Sequence, residues 1–207
     1  MIKLKKSYKD ITVGQYDSIQ KLIKSEQPSA VELISIVYDI PKKELLKLPV
    51  SEYTLMDTSI AFLVDNTSHY RVVNYIKING VEFKVNSNIM DLTAGQFIDL
   101  NNYLRDPNHK LVDILSTLLV RKELKYYDSD IASKDKVIIN QLDADTGMGI
   151  LSFLLVVCNT SFSLMMKALQ RMKPLRNNPK MEKYLQKLAD LSKVSDGLLL
   201  SPKLAKN

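Results

Sequence analysis

The chain has 207 residues, 45% apolar residues and a formal net charge of +6, so it can bury the core of one large domain or two small ones. Its one cysteine, Cys158, excludes a disulfide framework and fits a reducing compartment. The first residues, Met1 to Lys6, carry charge without an apolar stretch behind them, so they do not predict a secretory signal.

The first predicted element is a helix that begins within Asp10-Ile-Thr-Val-Gly-Gln-Tyr16. Thr12 is placed to be its N-cap, and Gln15, three residues later, completes a capping box because its side chain can reach back to the N-cap backbone. Apolar residues then recur with helical spacing. Pro28 and Ser29 end this helix and begin a second, strongly apolar one, so the segment predicts a helical hairpin.

A further helix is predicted over residues 53–64, and then the pattern changes to that of strands. Residues 72–78 and 81–85 flank the pair Asn79-Gly80. This pair indicates a two-residue turn, because a type I′ turn needs positive φ at both central positions. We expect one β-hairpin over residues 72–85, packed on the helices or paired with another chain, because a lone hairpin is marginal in water.

The first helix start returns at Asp91-Leu-Thr-Ala-Gly-Gln-Phe97, at an offset of 81 residues. Thr93 and Gln96 repeat the cap, and Pro107 breaks the helix. A second apolar helix is predicted to follow, with its apolar residues running through Leu119.

The segments that follow the two predicted hairpins also match, with Lys43-Glu44-Leu45 in one and Lys122-Glu123-Leu124 in the other. We interpret this as the internal duplication of a helical hairpin, over about residues 10–45 and 91–124. The expected fold class is therefore mainly α (α+β), a helical domain with a duplicated helical hairpin and one inserted β-hairpin.

The next stretch, residues 126–141, is less regular, and we predict a loop with one short strand at Val137-Ile-Ile139. A long helix is expected over about residues 146–172. Within it, residues 148–166 carry no charge, which approaches the length of a membrane span. Polar residues at helical spacing disfavour a span and indicate a core helix with one polar edge. These residues are Ser152, Asn159, Ser163, Lys167 and Gln170.

No enzyme or metal site is predicted. Asp143 and Asp145 resemble the opening of a calcium loop, but glycine, methionine and leucine occupy its fifth, sixth and twelfth positions. These carboxylates are better placed at the N-terminus of the long helix. The two histidines, His69 and His109, lie in separate polar stretches without zinc-ligand spacing. We expect no catalytic residue and no cofactor.

Basic residues concentrate toward the C-terminal end, between residues 167 and 187, where Glu182 is the one acidic residue among them. The cluster consists of Lys167, Arg171, Lys173, Arg176, Lys180, Lys183 and Lys187. Such a cluster attracts nucleic acid, an anionic surface or an acidic partner protein, or it forms a solvated helix face. We place the helical core at residues 1–174, with a basic C-terminal helix and a mobile tail over 175–207.

Four segments resemble small bacteriophage proteins of the tail-assembly region, such as a tail assembly chaperone or a minor virion protein of crAss-like phages that infect Bacteroidetes. They are Asp10-Ile-Thr-Val-Gly-Gln-Tyr16, Leu48-Pro-Val-Ser-Glu-Tyr53, Tyr75-Ile-Lys-Ile-Asn-Gly80 and Asp91-Leu-Thr-Ala-Gly-Gln-Phe-Ile-Asp99. The resemblance covers about residues 8–120 and the helix around 153–162.

The resemblance implies a non-enzymatic structural or assembly protein that binds other tail or virion proteins as a scaffold or chaperone. It places the protein in the host cytoplasm during assembly, or in the virion. Self-association into a homo-oligomer stays open. The alternative function is a nucleic-acid-binding accessory protein that uses the basic cluster of residues 167–187.

Overall fold

The fold is mainly helical and includes a small three-stranded antiparallel sheet, which confirms the predicted α+β class. The computed structural model describes residues 3–24, 29–64, 73–86, 91–106 and 108–156. The end of the predicted long helix, the boundary at residue 174 and the C-terminal segment 175–207 lie outside the described residues.

The first helical hairpin consists of α1 (Val13–Ile23) and α2 (Ala30–Tyr38) and follows a short 3-10 turn, Tyr8–Asp10. Both helices begin with a capping box, in which the N-cap hydroxyl accepts from the third backbone N–H and the third side chain accepts from the N-cap N–H. The predicted helix starts are confirmed. The helix α2 ends at Asp39, which adopts the left-handed conformation with φ of 54°.

Two shorter helices follow the first hairpin. They are α3 (Lys42–Leu45) and α4 (Val50–Ser59), and α4 continues into a 3-10 turn, Ile60–Val64. The helix predicted over residues 53–64 is confirmed, with a start three residues earlier.

The predicted β-hairpin is confirmed as β1 (Tyr75–Ile78) and β2 (Val81–Val85). Asn79 and Gly80 form its turn with φ of 47° and 86°, which are the positive values that such a turn requires. The hairpin does not need another chain, because β2 also pairs with β3 (Leu119–Arg121).

The second helical hairpin consists of α5 (Ala94–Arg105) and α6 (Leu111–Leu118). The prediction that Leu119 belongs to the apolar helix was wrong, because the chain leaves α6 there and continues as β3 on the free edge of β2. The two exits also differ. Lys43-Glu44-Leu45 lies in α3, whereas Lys122-Glu123-Leu124 is a turn after β3.

The prediction of a loop and short strand over residues 126–141 was wrong, because this stretch contains α7 (Ser129–Ile139). The Asp128 carboxylate caps α7 by accepting from the backbone N–H groups of Asp130 and Ile131. The last described helix, α8, covers residues 144–156. Asp143 precedes it and accepts from Thr146 N at 2.8 Å, as its predicted place at a helix N-terminus requires.

Buried apolar side chains form two clusters that meet at α1. One cluster joins the second hairpin, the sheet, α7 and α8, and the other joins the first hairpin to α3 and α4. Val13 belongs to the first cluster and Ile19 to the second, while Tyr16 packs against both. The two hairpins therefore pack together through α1.

Backbone hydrogen bonds join the starts of α1 and α8. Val13 N donates to Leu142 O at 2.7 Å, and Ala144 N donates to Ile11 O at 2.9 Å. Gly147 permits this close approach, because a Cβ atom there would lie 2.9 Å from Val13 Cγ2 and 3.0 Å from Leu115 Cδ1.

Gly147→Ala is therefore expected to lower the free energy of unfolding by about 1–3 kcal/mol through overpacking. Gly95→Ala is the matched control, because its Cβ would meet its nearest atom at 3.9 Å and α5 would gain helix propensity. Urea unfolding of both variants compares them. An unchanged or raised midpoint for Gly147→Ala would contradict the close contact.

Candidate interaction surface

The two glutamines of the repeated motif do more than cap their own helices. In each copy, the side-chain Oε1 accepts from the N-cap N–H of Thr12 or Thr93. The Nε2 of Gln15 also donates to the carbonyl of Ile36 at 2.9 Å, and the Nε2 of Gln96 donates to that of Thr117 at 2.9 Å. Each glutamine therefore ties the start of one helix to the end of the next.

The hydrogen bonds from Gln15 to Ile36 and from Gln96 to Thr117 occupy equivalent positions in the two copies of the repeat. Both join residues 21 apart in sequence, so Ile36 and Thr117 correspond at the same offset of 81 that relates Gln15 to Gln96. The conserved geometry of the two copies supports the interpretation of a duplicated hairpin. The predicted cap residues stabilise the fold, because their side chains form hydrogen bonds within the chain.

The hairpins pack in the order α2, α1, α6, α5, because α1 packs on both α2 and α6, and α5 packs on α6. The two hairpins are therefore not related by a two-fold axis, which would bring the same helix of each copy together. The first helix of one copy packs on the second helix of the other, and α2 and α5 stand at the two ends of the row.

Asp17 fixes the contact between the two hairpins. Its carboxylate on α1 accepts from Leu111 N at 2.6 Å and from Val112 N at 3.1 Å, and so caps α6 from outside that helix. Burial raises the pKa of Asp17, although the same two N–H groups oppose the shift.

Asp17→Ala is expected to lower the free energy of unfolding by about 1–2 kcal/mol, since it removes the acceptor of two N–H groups at a helix start. Lys21→Ala, at an exposed position of the same helix, is the control and should change stability by less than about 0.5 kcal/mol. Thermal or urea unfolding measures both. Equal effects would show that the cap does not hold the interface.

The two copies of the hairpin differ on one face of their first helix, the face by which α1 packs on α6. We call four α5 residues, Ala94, Phe97, Ile98 and Asn101, the α5 stripe. Their equivalents on α1 are buried or half-buried, and two of them, Asp17 and Val13, contact α6 and the start of α8. On α5, Phe97 is 42% exposed and Ile98 is 57% exposed. The part of this face that carries Phe97 and Ile98 is therefore open in the second copy, whereas Asn101 is half-buried.

The helix starts show the same difference. Gly14 N donates to Asn140 O at 3.1 Å, next to the bond from Val13 to Leu142. In the described part of the chain, no hydrogen bond joins the equivalent N–H groups of Ala94 and Gly95 to an acceptor.

Large apolar side chains are also exposed at the end of α3 and on α4. Leu46, Val50 and Leu55 are 72%, 81% and 57% exposed, and we call these three residues the α3–α4 surface. Among the described residues of α4, Met56 is the buried one. This helix therefore presents most of its circumference to solvent.

The sheet places β1 beside β2 and β3 beyond it, so β1 is an edge strand within the described residues. Its first residue, Tyr75, is 53% exposed, and the Lys122 ammonium lies 5.5 Å from the centre of the Tyr75 ring. An edge strand offers unpaired backbone groups to another chain.

Residues 3–24, 29–64, 73–86, 91–106 and 108–156 contain no group of three or more acidic, histidine or cysteine side chains that could hold a metal ion. His109 Nδ1 lies 2.6 Å from the carbonyl oxygen of Asp106, within its own loop. His69 lies outside the described residues.

The basic cluster predicted to contact a partner or nucleic acid also lies outside the described residues. It consists of Lys167, Arg171, Lys173, Arg176, Lys180, Lys183 and Lys187. Over the ranges that the structure describes, helices long and apolar enough to cross a bilayer do not occur.

No protein-family model matches the chain, and searches of curated proteins and of solved structures give no significant match.

Proposed function

We propose that this chain is a non-enzymatic phage structural or assembly protein that binds other tail or virion proteins as a scaffold or assembly chaperone. The observation that carries the proposal is the α3–α4 surface. It overlaps the segment Leu48-Pro-Val-Ser-Glu-Tyr53, which is one of those that resemble tail-region proteins.

The chemistry of this surface suits protein binding. Fully burying an exposed leucine or valine side chain contributes about 1.5–3 kcal/mol. Leu46, Val50 and Leu55 are each exposed, so each could contribute to binding a partner whose contact face is apolar. The α3–α4 surface would act during assembly in the host cytoplasm, or permanently in the virion.

Mass spectrometry of purified virions separates the two versions of this proposal. Stoichiometric copy number identifies a virion component. Absence from the virion, together with binding of the purified chain to the tape-measure protein, identifies an assembly chaperone. Absence from the virion without such binding would reject both versions.

A variant connects the proposal to the α3–α4 surface. Val50→Asp places a charge at an 81% exposed position and should weaken incorporation or tape-measure binding at least about tenfold. Val137→Asp is the control, because Val137 is 73% exposed on α7. Equal binding by both variants would place the contact elsewhere.

The alternative is a nucleic-acid-binding accessory protein, favoured by seven basic residues against one acidic residue over positions 167–187. Binding through this cluster should fall steeply with salt, because neutralising phosphates releases condensed counterions. Fluorescence anisotropy with labelled DNA and RNA measures this dependence. A flat salt titration, or no binding at low salt, would exclude it.

A further inference from the structure

We propose that the chain forms a two-fold symmetric dimer through the α5 stripe, with the α5 helices of two copies packed antiparallel. This interface goes beyond the binding of other phage proteins and would exist whether or not that function holds.

The pattern of the α5 stripe indicates that a helix covers it. Its residues follow one another at i, i+3, i+4 and i+7, which is the spacing of a helix-pairing face. Phe97 and Ile98 are the large exposed members. Tyr127 borders α5, because it donates a hydrogen bond to Asp99 at 2.8 Å.

The first repeat shows that helices of this chain fit such a face. There, Asp17 and Val13 of the equivalent stripe on α1 contact the start of α6 and the start of α8. Asp17 makes that face suitable for a helix end, since it caps the N–H groups of Leu111 and Val112. Its equivalent, Ile98, cannot accept a hydrogen bond. The α5 stripe is therefore suited to the apolar side of a helix.

The α5 helix of a second copy offers such an apolar side, and its charged residues are complementary to those of the first copy. Antiparallel pairing centred on the stripe sets Phe97 against Ile98 of the second copy and Ala94 against Asn101. It also brings exposed Arg105, in the last turn, toward exposed Asp91, just before the helix start, in both directions. Opposed helix dipoles favour the same arrangement. Self-complementary pairing of this kind generates a closed two-fold dimer.

The interface is small, so we expect a weak dimer with a dissociation constant of about 10–100 µM. Sedimentation velocity on the full chain, from about 1 to 300 µM, should show a concentration-dependent shift from monomer to dimer. Ile98→Asp introduces the residue of the first repeat at an exposed position and should raise the dissociation constant at least about tenfold. Val137→Asp, exposed on α7, should leave it unchanged.

Cross-linking tests the two-fold geometry. In a Cys158→Ser background, Ile98→Cys should form an intermolecular disulfide under mild oxidation, because the two copies of residue 98 lie close to the axis. Val137→Cys should not. A monomer at every concentration, a dimer unaffected by Ile98→Asp, or equal cross-linking of both cysteine variants would each overturn the proposal.

Discussion

Replacing Gln96 with alanine is expected to lower the free energy of unfolding by about 3 kcal/mol. The Gln96 side chain is 1% exposed, and it accepts from Thr93 N at 3.0 Å while it donates to Thr117 O at 2.9 Å. Thr117 is fully buried. Truncation leaves the Thr117 carbonyl without a hydrogen-bond donor, and water cannot take the place of the donor because the site is buried. The cavity left by the side chain lowers the stability further.

Gln96→Glu separates the two roles of this side chain. Glutamate is the usual third residue of a capping box and is favoured near a helix N-terminus. If Gln96 acted as a cap alone, Gln96→Glu would be neutral or stabilising. Because its Nε2 also donates to Thr117 O, we expect the carboxylate to face a carbonyl and destabilise the fold at neutral pH, with recovery at acidic pH as the carboxyl protonates.

Urea unfolding at neutral and acidic pH measures these variants. Gln15→Ala should cost less than Gln96→Ala, because Gln15 is only half-buried. Gln141→Ala, at an exposed position, is the control and should change stability by less than about 0.5 kcal/mol. If Gln96→Glu does not change the stability at neutral pH, the hydrogen bond from Gln96 to Thr117 does not stabilise the packing of α5 on α6.

The capping boxes could be predicted from sequence because each is a local device, closed within four residues. The second hydrogen bond of each glutamine could not, because its acceptor lies 21 residues away and is a backbone carbonyl, which no side-chain identity marks. The exposure of Ile98, by contrast with half-buried Asp17, depends on which helices cover each copy. The repeat in the sequence does not show which helices pack on each copy.

The two wrong predictions of secondary structure have separate causes. Leu119 continues an apolar run, and a short run of this kind fits a buried helix or a strand equally well. The helix α7 was missed because one of its buried positions holds a charged residue. Ala132, Asp135 and Ile139 are its buried residues, and the aspartate interrupts the apolar pattern. The spacing of these three residues and the cap at Asp128 were the signals that could have identified it.

These observations assign different tasks to the two copies of the hairpin. The first copy uses its helix face within the chain, where Asp17 and Val13 hold α6 and α8. The second copy carries an apolar residue, Ile98, at the equivalent exposed position. The same helix face is therefore used within the chain in the first copy, whereas it exposes Phe97 and Ile98 in the second.

Arg121→Ala is expected to be at least as destabilising as the loss of Gln96, at about 3–5 kcal/mol. The guanidinium on β3 donates from Nε to Asp135 Oδ2 at 2.9 Å and from Nη2 to Asp135 Oδ1 at 2.6 Å. The Asp135 side chain is 3% exposed and lies on α7. Removing Arg121 leaves a buried carboxylate without its cation, which costs far more than an intact pair contributes.

The double variant Arg121→Met with Asp135→Leu tests this reasoning. It removes both charges and keeps apolar volume, so it should recover most of the stability that Arg121→Ala loses. Lys134→Ala, at an exposed position of α7, controls for the loss of one positive charge. Urea unfolding compares the three proteins. A cost below about 1 kcal/mol for Arg121→Ala, or a double variant no more stable than the single one, would show that this pair does not fasten α7 to the sheet.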